Sequence, residues 1–206
     1  MPNDVYSKVS IIIPVADDET DLPALLGDLD NCGAEIIISS EGSRAASLNV
    51  GAQKATHEIL WFLHADSRVS NENMISLKKV ISGSHDCLFY FDLEFMGGGM
   101  PSLNAWGANM RSRLLGVPFG DQGFCVSRKV FDRVGGYPDD VPYGEDLMFV
   151  WRARQAGVRL MRVSSRLQTS ARKYQMHGWL KLTLLYQWRW VAMSVPQVLK
   201  LWGVRK

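Results

Sequence analysis

Two short acidic runs hold most of the chain's capacity for chemistry. His64-Ala65-Asp66 closes the apolar run 60–63. In an open α/β sheet, a carboxylate just past a strand's end faces the crevice where ligands bind. One carboxylate there can hold a divalent ion that also grips a diphosphate, because Mg²⁺ and Mn²⁺ share oxygen ligands with phosphates. The structural alternative is that Asp66 caps the next turn. Gly144-Glu145-Asp146 opens a predicted helix and contains the last two acids of the chain. Adjacent acids at a helix N-terminus complement its dipole. A carboxylate in that position is also suited to take a proton from a hydroxyl nucleophile.

These acids need a scaffold, and strand and helix signals alternate along the chain. Val9-Ser-Ile-Ile-Ile-Pro-Val15 reads as a strand buried on both faces. An acidic turn at 17–19 follows, then a helix over 18–30 with Leu22, Leu25, Leu26 and Leu29 at spacings of three and four. Residues 34–39 predict a second strand, 44–55 a small-residue helix and 58–63 a third strand. Parallel neighbours need crossover helices, so three such units predict a mostly parallel sheet. Further on, Ser70 caps a helix to 81, Cys87–Phe95 reads as a strand, 103–115 as a helix and 123–127 as a short strand. A turn at 135–138, a helix over 145–156 closed by Gly157 and a last strand over 158–163 complete the pattern. Residues 177–194 predict a long aromatic and basic helix. With no repeat and no linker, the expectation is one α/β domain over 1–206, with a C-terminal helical appendage from about 177 onward.

At 206 residues, 47% hydrophobic and 21% charged, the chain has a globular composition, which excludes the disordered classes. Cys32, Cys87 and Cys125 stand too far apart for a zinc ribbon or a disulfide framework, which fits a reducing compartment. No signal-peptide pattern and no run of ~18 uncharged apolar residues occurs, so the expected location is cytoplasmic. The net charge of +2 conceals a split: residues 1–146 hold 11 Lys and Arg against all 21 Asp and Glu, whereas residues 147–206 hold 12 Lys and Arg and no acid. Such asymmetry points either to an anionic partner or to a basic tail packed on an acidic body. Nucleic acid is disfavoured, because the chemistry-bearing positions are acidic and lie earlier in the chain. The predicted last helix is apolar around nearly its whole circumference, with a narrow cationic edge at Lys181 and Arg189. That pattern suits a core, a subunit interface or an anionic membrane surface. The expectation is peripheral attachment to the inner face of the membrane near a lipid-linked or membrane-bound acceptor, with core packing as the rival.

Five motifs fall in a fixed order: Val-Ser-Ile-Ile-Ile-Pro-Val at 9–15, Phe-Leu-His-Ala-Asp-Ser at 62–67, Pro-Phe-Gly-Asp-Gln-Gly-Phe-Cys-Val-Ser-Arg at 118–128, Gly-Gly-Tyr-Pro at 135–138 and Gly-Glu-Asp at 144–146. Together they resemble the family-two glycosyltransferases, and most of all the compact subgroup associated with radical-SAM and selenium-domain proteins. The resemblance implies a GT-A fold, a nucleotide-diphosphate sugar donor, Mn²⁺ or Mg²⁺, and inversion at the anomeric carbon. It implies that Pro14 and Val15, with the acidic turn after them, lie against the nucleotide base. Asp66 would meet the metal and the diphosphate, while His64 takes the first place of a motif that is Asp-x-Asp in many relatives. Asp146 would deprotonate the acceptor hydroxyl, with Glu145 and Asp121 as the other candidates. Asp121 and Gln122 would line the acceptor side, and Arg44 and Asn49 match positions that contact the donor phosphates.

One stretch departs from the family pattern. Relatives follow the second strand with an acidic, glycine-rich turn, then a helix and a strand, before the arginine-containing helix. Here Ser39-Ser40-Glu41-Gly42-Ser43-Arg44 leads directly into that helix. The aspartate that usually reads the base is missing, and Glu41 is its nearby substitute. The shortening raises a second expectation from another class: a catalytically impaired module that docks on a membrane or a partner protein.

Overall fold

Alternation along two central strands decides the layering. In β1 (Val9–Pro14), Ile11 and Ile13 face one side of the sheet and Ile12 the other, all fully buried. In β3 (Ile59–Phe62), Ile59 and Trp61 join the first side, and Leu60 and Phe62 the second. Both faces are therefore apolar, and both need helices to cover them. The computed structural model describes residues 5–16, 18–84 and 86–203; Asp17 of the acidic turn lies outside them.

Among the described residues one sheet of seven strands forms, in the order β2-β1-β3-β6-β5-β7-β4. The other strands are β2 (Glu35–Ser39), β4 (Ser67–Arg68), β5 (Cys87–Phe95), β6 (Cys125–Ser127) and β7 (Arg159–Thr169). Five strands point the same way, while β6 and β4 run against them. Helices α1 (Leu22–Asp28) and α3 (Asn71–Ile81) cover the first face; α2 (Arg44–Lys54), α5 (Arg128–Val134) and α6 (Glu145–Gln155) cover the second. Next come α4 (Pro101–Leu115), α7 (Arg172–His177) and α8 (Trp179–Leu201). Because β1 has β2 on one side and β3 on the other, the chain leaves β1 at a point where the strand order reverses. That is where an open α/β sheet forms its crevice.

Several sequence expectations change. Helix α1 is shorter than 18–30, because Pro23 sits in its first turn and fixes its start. Strand β7 runs on to Thr169, beyond the expected stop at Val163. Its polar stretch 164–169 alternates exposed and buried, and a bulge opposite Phe91 and Asp92 restores pairing with β5. Helix α5, not anticipated, is capped by the Ser127 hydroxyl accepting from the Val130 N–H and buries Val130, Phe131 and Val134. Helix α8 extends past Pro196, where a proline normally ends a helix. It continues because Val198 packs on the main core and Gln197 accepts a hydrogen bond from Gln155 of α6 at 3.0 Å. The inner face of this helical appendage seats on α6.

The seating of α2 on β1 depends on a glycine. A methyl added to Gly51 would overlap the Ile12 side chain, which lies in the fully buried middle of the sheet. Gly51→Ala is expected to destabilise the protein by about 1–3 kcal/mol through overpacking, read as a lower urea midpoint at unchanged slope.

Candidate active site

The carboxyl ends of β1 and β3 and the N-terminus of α6 meet at one crevice. Gly144, with φ +71°, turns the chain into α6 and places Glu145 and Asp146 in the first helical turn. The 3-10 turn Gly120–Gln122 approaches from the opposite side and fixes the Asp146 carboxylate. Gly120 N–H donates to Oδ2 at 2.6 Å, and Leu147 N–H donates to Oδ1 at 2.8 Å. The approach is close enough that a methyl on Gly120 would stand 3.0 Å from Asp146 Oδ2 and 3.1 Å from His64 Nε2. A non-glycine residue here would displace either group.

Cations divide the acids. Arg44, the first residue of α2, places Nε 2.6 Å from Glu145 Oε1 and a second nitrogen 3.9 Å from Asp146 Oδ2. Burial lowers the affinity of its guanidinium for the proton, but Asp146, Glu145 and Asp121 reverse that and raise it above its ordinary value. His64 Nδ1 lies 2.6 Å from Asp121 Oδ1. Burial pushes the Asp121 carboxyl up, yet the charge and hydrogen bond of His64, helped by Arg44 and Lys173, hold it below the usual carboxylate range. Asp66 has no such partner: burial, Asp121 and Glu19 raise its carboxyl, and only His64 and Lys173 oppose them.

Two cavities join at this point. The first, about 560 Å³, opens beyond β1 and the β2–α2 turn and is lined by Pro14, Val15, Glu41, His64 and Arg172 among others. The second, about 440 Å³, lies between the α6 N-terminus, α4 and α8, and contains Asp121, Glu145 and Asp146. Arg44, Asp66 and Lys173 line both. A ligand spanning the two would cross Asp66 and arrive at Asp146. Arg172 closes the β1 cavity from the far end of the chain by donating to Thr20 Oγ1 at 2.9 Å, with Asp21 at 3.5 Å.

The crevice thus gathers Pro14, Val15, Glu41, Arg44, Asp66, Asp121, Glu145 and Asp146. Two expected residues fall elsewhere. Asn49 lines neither cavity, because its amide is spent on Tyr137, accepting from the N–H at 2.9 Å and donating to the carbonyl at 2.8 Å. It fixes the 135–138 turn rather than a donor phosphate. Gln122 is fully buried: Nε2 donates to the Phe91 carbonyl, while Oε1 accepts from Phe119 N–H and the Ser112 hydroxyl. It positions Gly120 and does not line the acceptor side. Arg44 lines both cavities, and its nearest partners are the acids of α6.

Sequence reasoning missed Arg111, Lys173, Arg189 and Trp190, all lining the second cavity. For Arg111 a signal existed, because it shares the buried stripe of α4 with Ala105, Ala108 and Ser112. A charge on such a stripe is uncommon without a purpose. Among the described residues no group of three His, Cys, Asp or Glu could by itself hold a metal. Asp66 nonetheless fits a cation shared with a ligand's phosphates. It is a half-buried carboxylate raised chiefly by burial, it lines both cavities, and Mg²⁺ commonly takes only one or two protein carboxylates.

The raised Asp66 carboxyl carries a stability consequence. Its charge costs the folded state free energy at neutral pH, and that cost disappears as pH falls and the group protonates. Asp66→Asn is therefore expected to melt above the parent at pH 7.5. The gap should narrow as pH falls through the raised folded-state value and vanish below the unfolded value of ~3.9. Scanning calorimetry across pH reads it directly, and an equal or lower melting point at pH 7.5 would contradict the assignment.

No family model and no curated protein matches the chain. Solved structures do match. S. aureus TarS 1-349 superposes with a TM-score of 0.62 at 15% identity, covering 79% of this chain and 60% of that one. TarS 1-349 in complex with UDP-GlcNAc gives 0.60 at 15% identity, over 79% and 58%. The catalytic domain of Drosophila beta1,4galactosyltransferase 7, in complex with xylobiose, gives 0.50 at 19% identity, over 75% and 64%. This chain spans 60% of the length of TarS 1-349. At such identities the likeness is one of fold, and the fold is that of the GT-A glycosyltransferases.

Proposed function

We propose that this protein transfers a sugar from a nucleotide-diphosphate sugar to a hydroxyl acceptor, with inversion. The observation that carries the reading is the joining of two cavities at Asp66, with a backbone-anchored carboxylate, Asp146, in the second. The β1 cavity takes the nucleotide, its base against Pro14, Val15 and Glu41. The ordered motifs favour the compact subgroup associated with radical-SAM and selenium-domain proteins.

Of the three candidate bases, Asp146 is the freest to work. Glu145 is committed to Arg44 at 2.6 Å and Asp121 to His64 at 2.6 Å. Asp146 is held mainly by two backbone N–H groups, which fix its orientation and leave a lone pair on each oxygen for an acceptor hydroxyl. It takes the hydroxyl proton, and the oxygen attacks the anomeric carbon from the face opposite the diphosphate. The bond to the diphosphate breaks, and the nucleoside diphosphate leaves. Lys173, which lines both cavities, would offset the charge that the leaving group gathers. A divalent ion bound at Asp66 would neutralise the diphosphate.

Asp146→Asn keeps the shape and removes the base. Turnover is expected to fall by roughly 10²–10⁴ while donor affinity, by calorimetry, hardly moves. A variant with near-normal turnover would pass the role to Glu145 or Asp121. A parent chain that binds no nucleoside diphosphate, with or without Mn²⁺, would favour the impaired docking module instead.

The outer face of α8 supports a membrane-associated form of this activity. Leu180, Leu184, Trp188, Val191, Val195 and Leu199 recur at spacings of three and four and are all exposed. Leu182, Tyr186, Trp190 and Met193 face inward. Among the described residues no helix is long and apolar enough to cross a membrane. An in-plane helix is the alternative, and residues 147–206, with 12 Lys and Arg and no acid, suit an anionic leaflet at ~1 kcal/mol per basic residue near the surface. Trp188→Glu with Val195→Glu is expected to abolish co-sedimentation with anionic vesicles at low salt and to leave nucleotide binding intact. A parent protein that ignores such vesicles would end the idea.

A further inference from the structure

The second cavity contains the acidic crevice around Asp146. Arg111, a residue only 9% exposed, also lines it. Its Nε donates to the Val117 carbonyl at 3.1 Å, and its carbon sits 3.7 Å from the Phe119 ring centroid and 5.4 Å from that of Trp190. Its Nη2 is buried and meets no acceptor. Trp190 lines the same cavity, and its indole Nε1 is likewise buried without an acceptor among the described residues. No carboxylate among the described residues forms an ion pair with Arg111, and the acid whose field reaches it is Asp146. Arg189 of α8 adds a second cation, resting 4.3 Å from the Tyr143 ring centroid.

Two neighbouring donors left without acceptors, one of them cationic, cost the folded state free energy that nothing in the protein returns. An oxyanion would return it, because its oxygens accept from both N–H groups and its charge matches the guanidinium. We propose that the acceptor carries a phosphate or carboxylate group, received by Arg111 and Trp190 while its hydroxyl reaches Asp146. Burial pushes the Arg111 guanidinium down to about 10, so it remains a cation at neutral pH. The acceptor role rests on the transferase reading above, whereas anion binding at Arg111 does not.

The test uses the full chain without nucleotide. Inorganic phosphate, glycerol 1-phosphate and glycerate are titrated by calorimetry, with glycerol as the neutral control. Saturable binding of the anions but not of glycerol is expected. It should weaken at least about tenfold in Arg111→Gln and by a smaller factor in Trp190→Phe, which keeps an aromatic ring and loses the donor. Both variants should bind UDP as the parent does, and saturating UDP should not displace the anion. Equal anion affinity in parent and variants, or displacement by UDP, would place the ion on the diphosphate subsite and overturn the proposal. If Arg111→Gln does not fold, Trp190→Phe and the UDP competition decide the outcome. A short-chain phosphatidic acid arm separates the sources: preference for it over glycerol 1-phosphate supports a lipid-borne anion, and the reverse a soluble one. Loss of UDP binding in the parent alone would sink the transferase reading and leave the anion site standing.

Discussion

Four carboxylates, Asp66, Asp121, Glu145 and Asp146, converge at one edge of the sheet, and the repulsion among them sets the surrounding structure. Neighbours in the crevice lower that cost. Arg44 bridges Glu145 and Asp146, His64 pairs with Asp121, and the helix terminus and the Gly120 N–H receive Asp146. Asp66 is left raised, chiefly by burial. Charge compensation here is selective rather than complete, which is how a site keeps one group available for a ligand. The fully buried Gln122 belongs to the same arrangement. By satisfying the Phe119 N–H and the Phe91 carbonyl, it holds the Gly120 turn against α6 without adding a charge.

Helix α8 meets a second constraint. Its inner face supplies a wall of the Asp146 cavity, and Met193 packs so close to Gly144 that a side chain there would strike its sulfur at 2.8 Å. Its outer face leaves large apolar side chains in water, each forgoing ~1.5–3 kcal/mol that full burial would return. A helix apolar on opposite faces is built for two neighbours, and the domain itself is only one of them.

The parallel core β2-β1-β3 and its helices were readable in the sequence, because β-branched runs and leucines at helical spacing are local signals. The later half was harder. Strand β7 looked finished at Val163 because serines and an arginine follow, yet its period-two alternation continues to Thr169. The shared cavity of Asp66, Glu145 and Asp146 was foreshadowed by acids at a strand end and a helix start, positions that turn capping and the helix dipole also favour. Gln122 and Asn49 looked functional by motif, but their amides serve backbone groups 31 and 88 residues away, which no local pattern reveals. The charge split left open an anionic partner or a basic segment packed on the acidic body, and part of it is such pairing: Arg162 meets Asp92 at 2.8 Å, and Arg166 meets Glu94 at 3.4 Å. Arg111 went unread although a lone charge on the buried stripe of α4 was visible.

The two cavities draw on different stretches of chain. The β1 side is assembled largely before residue 67, and the Asp146 side largely after residue 92, with Arg44, Asp66 and Lys173 in common. Mutational drift in the later wall, above all in the α8 segment, can therefore reshape one chamber without disturbing the other. Exchange of the contiguous α8 segment would recast the acceptor-side chamber and leave the residues that line the β1 chamber in place.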